Sequence, residues 1–364
     1  MSLIHKIGLT LIRGVGAVTA KNLLERFGTA EAVFKASYNQ LMETEGIGSV
    51  TARHIVDTDA LKSAAVQLKF LNKYKIKILF YTDVVYPQRL KNCYDAPVLL
   101  YYKGTADLNH PRIVSIVGTR KATLYGLFLC KQLADTLKEY NVMVVSGLAY
   151  GIDVAAHKES LRCGIPTVGV LGHGLDRLYP AIHRDIAEEM VSNGGLLTEF
   201  PPGTMPDKEN FPKRNRIIAG LADAVLVVEA AGKGGALITA EIAVSYNRDV
   251  FAFPGRTTDE YSAGCNFLIK TNRAGLIGHA KDLVYYMGWE KVSQPVEATQ
   301  ITAPIGLSVH ETSIVALLAD GGCLRVDELS IKADIQQSKL AFYLLNLEMK
   351  GIIMALPGKV YQLV

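Results

Sequence analysis

The chain contains no apolar run approaching the roughly 18 residues that cross a bilayer as a helix. Its longest apolar stretches are broken by Gly or charge. It has no CxxC, and its cysteines (Cys93, Cys130, Cys163, Cys265, Cys323) are scattered and odd in number. That excludes a disulfide framework and the common zinc knuckles, and it leads us to expect a reducing, cytoplasmic setting. The N-terminus, MSLIHKIGLTLIRG, lacks an apolar core followed by a small-residue cleavage site, so no signal peptide is expected. Neither a GxGxxG after the first core strand nor a GxxxxGK(S/T) loop occurs, because Lys233 falls inside its glycines rather than at their end. No carboxylate or histidine cluster forms an obvious catalytic set, so no catalytic residue, metal ligand or cofactor is expected.

What is present suits two or three globular domains: 364 residues, 49% apolar and 20% charged. The formal charge of +4 is unevenly spread. Residues 1–111 hold 14 Lys/Arg against 9 Asp/Glu, residues 112–285 hold 19 against 18, and residues 286–364 hold 6 against 8. Any phosphate site in the near-neutral middle must therefore be local. Near the N-terminus, Gly14-Val15-Gly16-Ala17-Val18-Thr19-Ala20-Lys21 recurs as Gly46-Ile47-Gly48-Ser49-Val50-Thr51-Ala52-Arg53, 32 residues on. Each copy is a glycine turn opening a helix, with a basic residue in that helix. This resembles a tandem helix-hairpin-helix (SAM-like) module over residues 1–72, which serves either as a nucleic-acid contact or as a packing domain.

Residues 76–104 read as strand, loop, strand. From Arg112 a βα alternation begins, with strands expected at 113–118, 142–147, 167–172, 196–200, 224–230 and 250–255. Strands apolar on both faces and separated by helices predict an α/β fold with an extended Rossmann-like parallel sheet over residues 73–288. Residues 289–304 lose periodicity and read as a linker. Residues 305–364 read as three helices and a hairpin around Pro357-Gly358, the layout of a winged helix. With 5 Lys/Arg against 6 Asp/Glu, that unit suits protein contact or packing better than groove binding.

Ligands of parallel sheets sit at the carboxyl ends of the strands. Four loops stand there: Gly118-Thr119-Arg120; Ser146 to Asp153 with Gly147 and Gly151; Lys213-Arg214-Asn215-Arg216 at a helix start; and Lys233-Gly234-Gly235. Backbone donors and cations at such places are phosphate chemistry. Tyr125, Tyr150, Tyr179 and Phe211 lie near these loops and offer stacking faces for unpaired bases, although each alone reads as core. Asp153 and His157, four apart on one helix, form either an acid–base or metal pair or a packing arrangement, the packing reading being the simpler. Three cations at a helix N-terminus oppose its dipole and need an anion, either a DNA phosphate or a carboxylate such as Glu199 or Glu229.

Read together, YPQRLKNCYDAPVLLYYKG, IVGTRKATLYG, VSGLAYGIDVAAHKESL, GVLGHGLDRLYP, FPKRNRIIAGLADAVLVVEA, GGALITAEIA and VFAFPG resemble the DNA-processing protein A (DprA/Smf) family over about residues 80–275. The resemblance implies a homodimeric, non-enzymatic mediator. Such a mediator binds and protects incoming single-stranded DNA and loads the RecA recombinase during natural transformation. It maps Gly118, Thr119 and Arg120 onto the family's phosphate loop, Arg214 and Arg216 onto its Arg-Asn-Arg element, and Ser146, Gly147 and Gly151 onto its second loop. The chain departs from the family after Tyr179-Pro180, where Ala181 replaces a basic residue and Arg184 is the nearby cation. It departs again at Lys233-Gly234-Gly235-Ala236, and at Asn272-Arg273-Ala274. An alternative is a phosphoribohydrolase of the same superfamily, whose PGGxGTxxE motif Gly234, Gly235 and Glu241 match in part. Lys233 and Leu237-Ile238 stand at its Pro and Gly-Thr positions.

Overall fold

A computed structural model describes residues 3–291, 307–356 and 360–363. The chain divides into two compact units, Met1–Val292 and Ser293–Val364. The first unit opens with helices Leu3–Leu11, Ala17–Phe27, Ala30–Lys35, Tyr38–Met42, Ser49–Val56 and Ala60–Lys73. Both glycine turns adopt the conformation that glycine permits, with φ +85° at Gly14 and +78° at Gly46. Val15 and Ile47 between the glycines are buried, and a helix starts directly after Gly16 and after Gly48.

The two hairpins hold each other reciprocally. Asn22 Nδ2 donates to the Glu45 carbonyl at 3.1 Å, and His54 Nδ1 lies 3.0 Å from the Arg13 carbonyl. Asn22 and His54 are equivalent positions of the repeat, as are Arg13 and Glu45, so the pair packs about a local two-fold axis. The equivalence ends at the basic residues. Lys21 Nζ donates to the Tyr94 carbonyl at 3.1 Å and lies over the Tyr81 ring, whereas Arg53 is exposed. The first hairpin thus spends its cation on the neighbouring sheet domain.

That domain is a nine-stranded sheet: β1 (Lys77–Phe80), β2 (Leu99–Gly104), β3 (Ile113–Val117), β4 (Met143–Ser146), β5 (Thr167–Val170), β6 (Gly194–Thr198), β7 (Ala224–Val227), β8 (Asp249–Ala252) and β9 (Gly275–Leu276). Their order is β1-β2-β6-β5-β4-β3-β7-β8-β9, parallel from β6 to β9, with β1 and β2 antiparallel at one edge. Alternate residues feed opposite faces. Ile113, Val117, Val145, Val225 and Val227 enter one core, and Val114, Ile116, Val144 and Leu226 enter the other. A parallel sheet covered on both sides requires this, because each pleat buries the next residue on the other face. Helical-module residues Ile7, Leu23, Ile47 and Ile55 share a third core with Phe80, Val98, Leu99 and Tyr101. No gap in packing therefore marks residue 72, and the module and sheet form one body.

From β3 the chain winds outward through β4, β5 and β6, then returns to the other flank as β7 and β8. The switch point lies between β3 and β7, where the loops that leave both strands diverge and open a crevice.

The second unit has helices Val309–Gly321, Val326–Ala333 and Gln337–Met349, with strands β10 (Leu324–Arg325), β11 (Ile353–Leu356) and β12 (Val360–Leu363). They form an antiparallel sheet of order β10-β12-β11 beside a core of Ile314, Leu318, Leu329, Leu340, Leu344 and Leu347. Lys350, at the C-terminal end of the third helix, is paired to Glu311 at 3.0 Å. The hairpin tip at Pro357-Gly358 and residues 292–304 of the expected linker lie outside the described residues.

Candidate nucleic-acid interface

The loops that follow β3 and β4 are built against each other. Gly151 has φ +79°, and a Cβ there would sit 2.2 Å from the Thr119 carbonyl. A side chain at this position would push the two loops apart. Ile152 N donates to that same carbonyl at 3.1 Å, while Thr119 N donates to the Glu229 carbonyl at 2.8 Å. The Glu229 carboxylate accepts from Thr123 N at 2.9 Å and from Thr123 Oγ1 at 2.5 Å. The helix Leu124–Leu137 is capped by Thr123, whose Oγ1 accepts from Gly126 N at 3.3 Å, and the buried Glu229 holds this cap residue while complementing the helix dipole. Glu229 therefore anchors both ends of the Gly118-to-Thr123 loop and is not a partner of the Arg-Asn-Arg element.

Arg120 projects from this loop into solvent. Among the described residues its guanidinium has no ion pair or hydrogen bond, and it lies 5.5 Å from the centre of the Phe211 ring. A cation held over an aromatic face but otherwise unpartnered is poised for an anion. It lines a cleft with Leu148, Tyr150, Gly172, Tyr179, Phe211 and Arg214. The cleft is narrow, about 50 Å³, so it suits a phosphate rather than a nucleobase. Tyr150 and Tyr179 are each about half exposed at its rim, and Tyr179 lies 6.2 Å from Phe211.

The three cations of helix Asn210–Leu221 separate. Lys213 is exposed. Arg214 is buried at the floor of the cleft, donating to the Val170 carbonyl and facing Asp153 across Gly147. A Cβ on Gly147 would lie 2.3 Å from Asp153 Oδ2 and 2.7 Å from the Arg214 guanidinium, so glycine is needed for their approach. Burial pulls the Arg214 pKa down to about 10, against the pull of Asp153 and with that of Arg120. It remains charged at neutral pH. Arg216 turns the other way, donating to the Asp95 carbonyl at 2.5 Å and to the Glu199 carboxylate. Of the two carboxylates considered for this element, Glu199 is the one used.

The remaining expected residues divide similarly. Ser146 is buried, with its hydroxyl donating to the Ile116 carbonyl at 2.5 Å, so it ties β4 to β3 rather than facing solvent. Gly118 continues β3, packed on Ile152. Thr119 Oγ1 accepts from Lys121 N at 3.2 Å within its own loop. Arg184 is exposed at the start of helix Arg184–Ser192. Lys233, Gly234 and Gly235 are exposed at the start of helix Gly235–Ser245, beyond β7. Glu241, the acid of the phosphoribohydrolase pattern, is a half-exposed partner of Arg273 at 2.8 Å, committed to a surface ion pair.

Asp153 and His157 do not pair. His157 Nδ1 lies 2.6 Å from Thr167 Oγ1 and Nε2 lies 2.6 Å from the Gly147 carbonyl, while Asp153 accepts from Ala149 N at 3.3 Å. The packing reading holds, with His157 bracing the β4 loop from beneath. Burial lowers its pKa from 6.5 to about 4. A depressed imidazole pKa means that the unfolded chain takes up the proton first as pH falls, so the stabilisation is full above pH 6.5 and is lost toward pH 4. The melting temperature of wild type is expected to drop across that window, and that of His157→Gln to vary less, in thermal melts at stepped pH.

Tyr125 alone of the four aromatics stands apart from the cleft. It lines a separate cavity with Thr123, Glu229, Pro254 and the segment Arg256 to Ser262. Nothing in the composition of that segment had singled it out. It is brought to the site only by the neighbouring positions of β7 and β8 in the sheet.

Comparison with known proteins agrees with this architecture. The family model for DNA recombination-mediator protein A matches residues 77–288, and the helix-hairpin-helix motif matches residues 7–64. Protein Smf of Synechocystis sp. is 38% identical over 284 residues, covering 76% of this chain and 70% of that protein. DNA processing protein DprA of Streptococcus pneumoniae is 43% identical over 202 residues, covering 56% of this chain and 71% of its own. The X-ray structure of DNA processing protein A from Streptococcus pneumoniae aligns with a TM-score of 0.67 at 32% identity, over 78% of this chain and 98% of that one. The protein from Helicobacter pylori, in a structure concerned with its single-stranded DNA binding mode, aligns with a TM-score of 0.54 at 28% identity, over 59% and 98% of the two chains. With a helical hairpin pair ahead of a switch-point sheet whose phosphate-type loops are intact, the chain belongs to the DNA recombination-mediator protein A (DprA/Smf) family.

Proposed function

We propose that this protein binds single-stranded DNA along the carboxyl edge of its sheet and acts as a cytoplasmic, homodimeric recombination mediator that loads RecA, without catalytic turnover. The observation that carries the reading is Arg120 beside Phe211, without an ion pair or hydrogen bond among the described residues, over a cleft floored by the charged Arg214. Phosphates meet Arg120, Arg214 and the exposed Lys213, Lys233 and Arg184. Bases stack on Tyr150, Tyr179 and Phe211. Stacking platforms next to cations favour unpaired strands, because a duplex keeps its base faces internal. The Helicobacter pylori relative supports the same ligand class. We read the second unit as a winged helix that contacts protein. Its first-to-third helix order and its small antiparallel sheet fit that fold, and Lys350 is already engaged by Glu311.

The test compares affinities for single-stranded and duplex oligonucleotides of one length. Clearly tighter binding of the single strand is expected, and equal affinity would contradict the stacking geometry. The first unit, Met1–Val292, is expected to keep most of the affinity, and residues 305–364 to bind no DNA in a gel shift. Tight binding by the latter would overturn the charge argument. Release of free base from nucleoside monophosphates would instead favour the hydrolase reading.

A further inference from the structure

The cavity behind Tyr125 is much larger than the Arg120 cleft, about 930 Å³, and it opens at the ends of β3, β7 and β8, beside the switch point. Its link to the phosphate-type loop is direct. Glu229, on its floor, holds Thr119 through its carbonyl and Thr123 through its carboxylate. The loop and the cavity thus share Glu229, and Thr123 at the loop's end lines the cavity.

Its chemistry is opposite to that of the cleft. Glu229, Asp259 and Glu260 outnumber Arg256 among the lining residues, which disfavours a phosphate. The base is the part of a nucleotide that carries no negative charge. Tyr125 and Tyr261 supply aromatic walls. Each Glu229 oxygen accepts one bond from Thr123 and keeps a lone pair. Among the described residues, the Asp259 carboxylate accepts no side-chain bond and makes no ion pair.

We infer that this cavity receives one nucleobase of the bound strand, between Tyr125 and Tyr261, with guanine preferred. This deepens the single-strand reading above and rests on it. Guanine presents two adjacent donors, N1–H and the N2 amine, which match the two oxygens of a carboxylate. Thymine offers a single N3–H between two carbonyls, which would face the carboxylates unfavourably. Cytosine and adenine each offer one amine next to an acceptor.

The experiment uses the full chain and a thymidine oligonucleotide carrying a single guanine at successive positions, read by fluorescence anisotropy. One register is expected to bind about 10-fold more tightly than the all-thymidine strand, as one charge-assisted bond would give. Replacing that guanine by deoxyinosine, which lacks the N2 amine, is expected to remove most of the gain. In an Asp259→Asn variant the preference should vanish, while all-thymidine affinity stays within about two-fold. Equal affinity at every register would overturn the inference, as would a preference that survives in the variant. Neither outcome touches the proposed function, which fails only if the all-thymidine strand itself is not bound.

Discussion

Arg120→Ala is expected to weaken single-stranded DNA binding by about 10- to 100-fold, the equivalent of one charge-assisted bond of roughly 1.5–3 kcal/mol. Among the described residues the guanidinium makes no ion pair or hydrogen bond, and its loop is pinned at both ends by Glu229, so its removal disturbs little else. Its cation–π contact with Phe211 is lost with it. The plot of log affinity against log salt should flatten by about 0.7, the share of one single-strand phosphate. The melting temperature should stay within a degree or two, as for other exposed substitutions. Unchanged affinity in the folded variant would remove Arg120 from the interface.

Arg216→Ala is expected to do the reverse. The sequence presents Arg214 and Arg216 as equivalent cations whose anion is either a DNA phosphate or a carboxylate such as Glu199 or Glu229. The structure separates them. Arg214 reaches the cleft, whereas Arg216 is locked to Asp95 and Glu199. Both partners of the Arg216–Glu199 pair are largely buried; Arg216 bonds Glu199 Oε2, and the buried Oε1 has no hydrogen-bond partner among the described residues. Burial already pushes the Glu199 carboxyl upward, with Arg216 opposing it. Removing the arginine strands a buried carboxylate, at a cost of about 3–5 kcal/mol. For a unit of this size the melting temperature should fall on the order of 10 °C. Adding Glu199→Gln should recover part of the loss, because the stranded charge goes with it. Single-strand affinity of the remaining folded protein should change little. A melt unmoved by Arg216→Ala would show the pair to be idle.

These two arginines mark where sequence reading stops. The strands of the core were legible because a parallel sheet covered on both faces needs unbroken apolar runs, and IVSIV, MVVS and AVLV can be little else. The repeated glycine turns were legible because a left-handed backbone leaves glycine at fixed spacing. Gly118, Gly147 and Gly151 followed from their position at strand ends. Direction was not legible. On helix Asn210–Leu221, residues two apart point to different sides, and which side faces the cleft depends on how that helix lies against β5. Ser146 ends its strand with a hydroxyl that the sequence cannot distinguish from a ligand donor, yet the sheet claims it for Ile116. Lys21 and Arg53 are one position of a repeat, and only docking of the first hairpin on Tyr94 tells them apart. Local sequence thus determined the elements, their order and the glycine loops at the strand ends, since those depend on backbone conformation and apolar period. Tertiary structure alone decided which cations remain free and where a second cavity opens. A charge is spent or kept according to residues a hundred or more positions away, as Arg216 is on Asp95 and Glu229 is on Thr123.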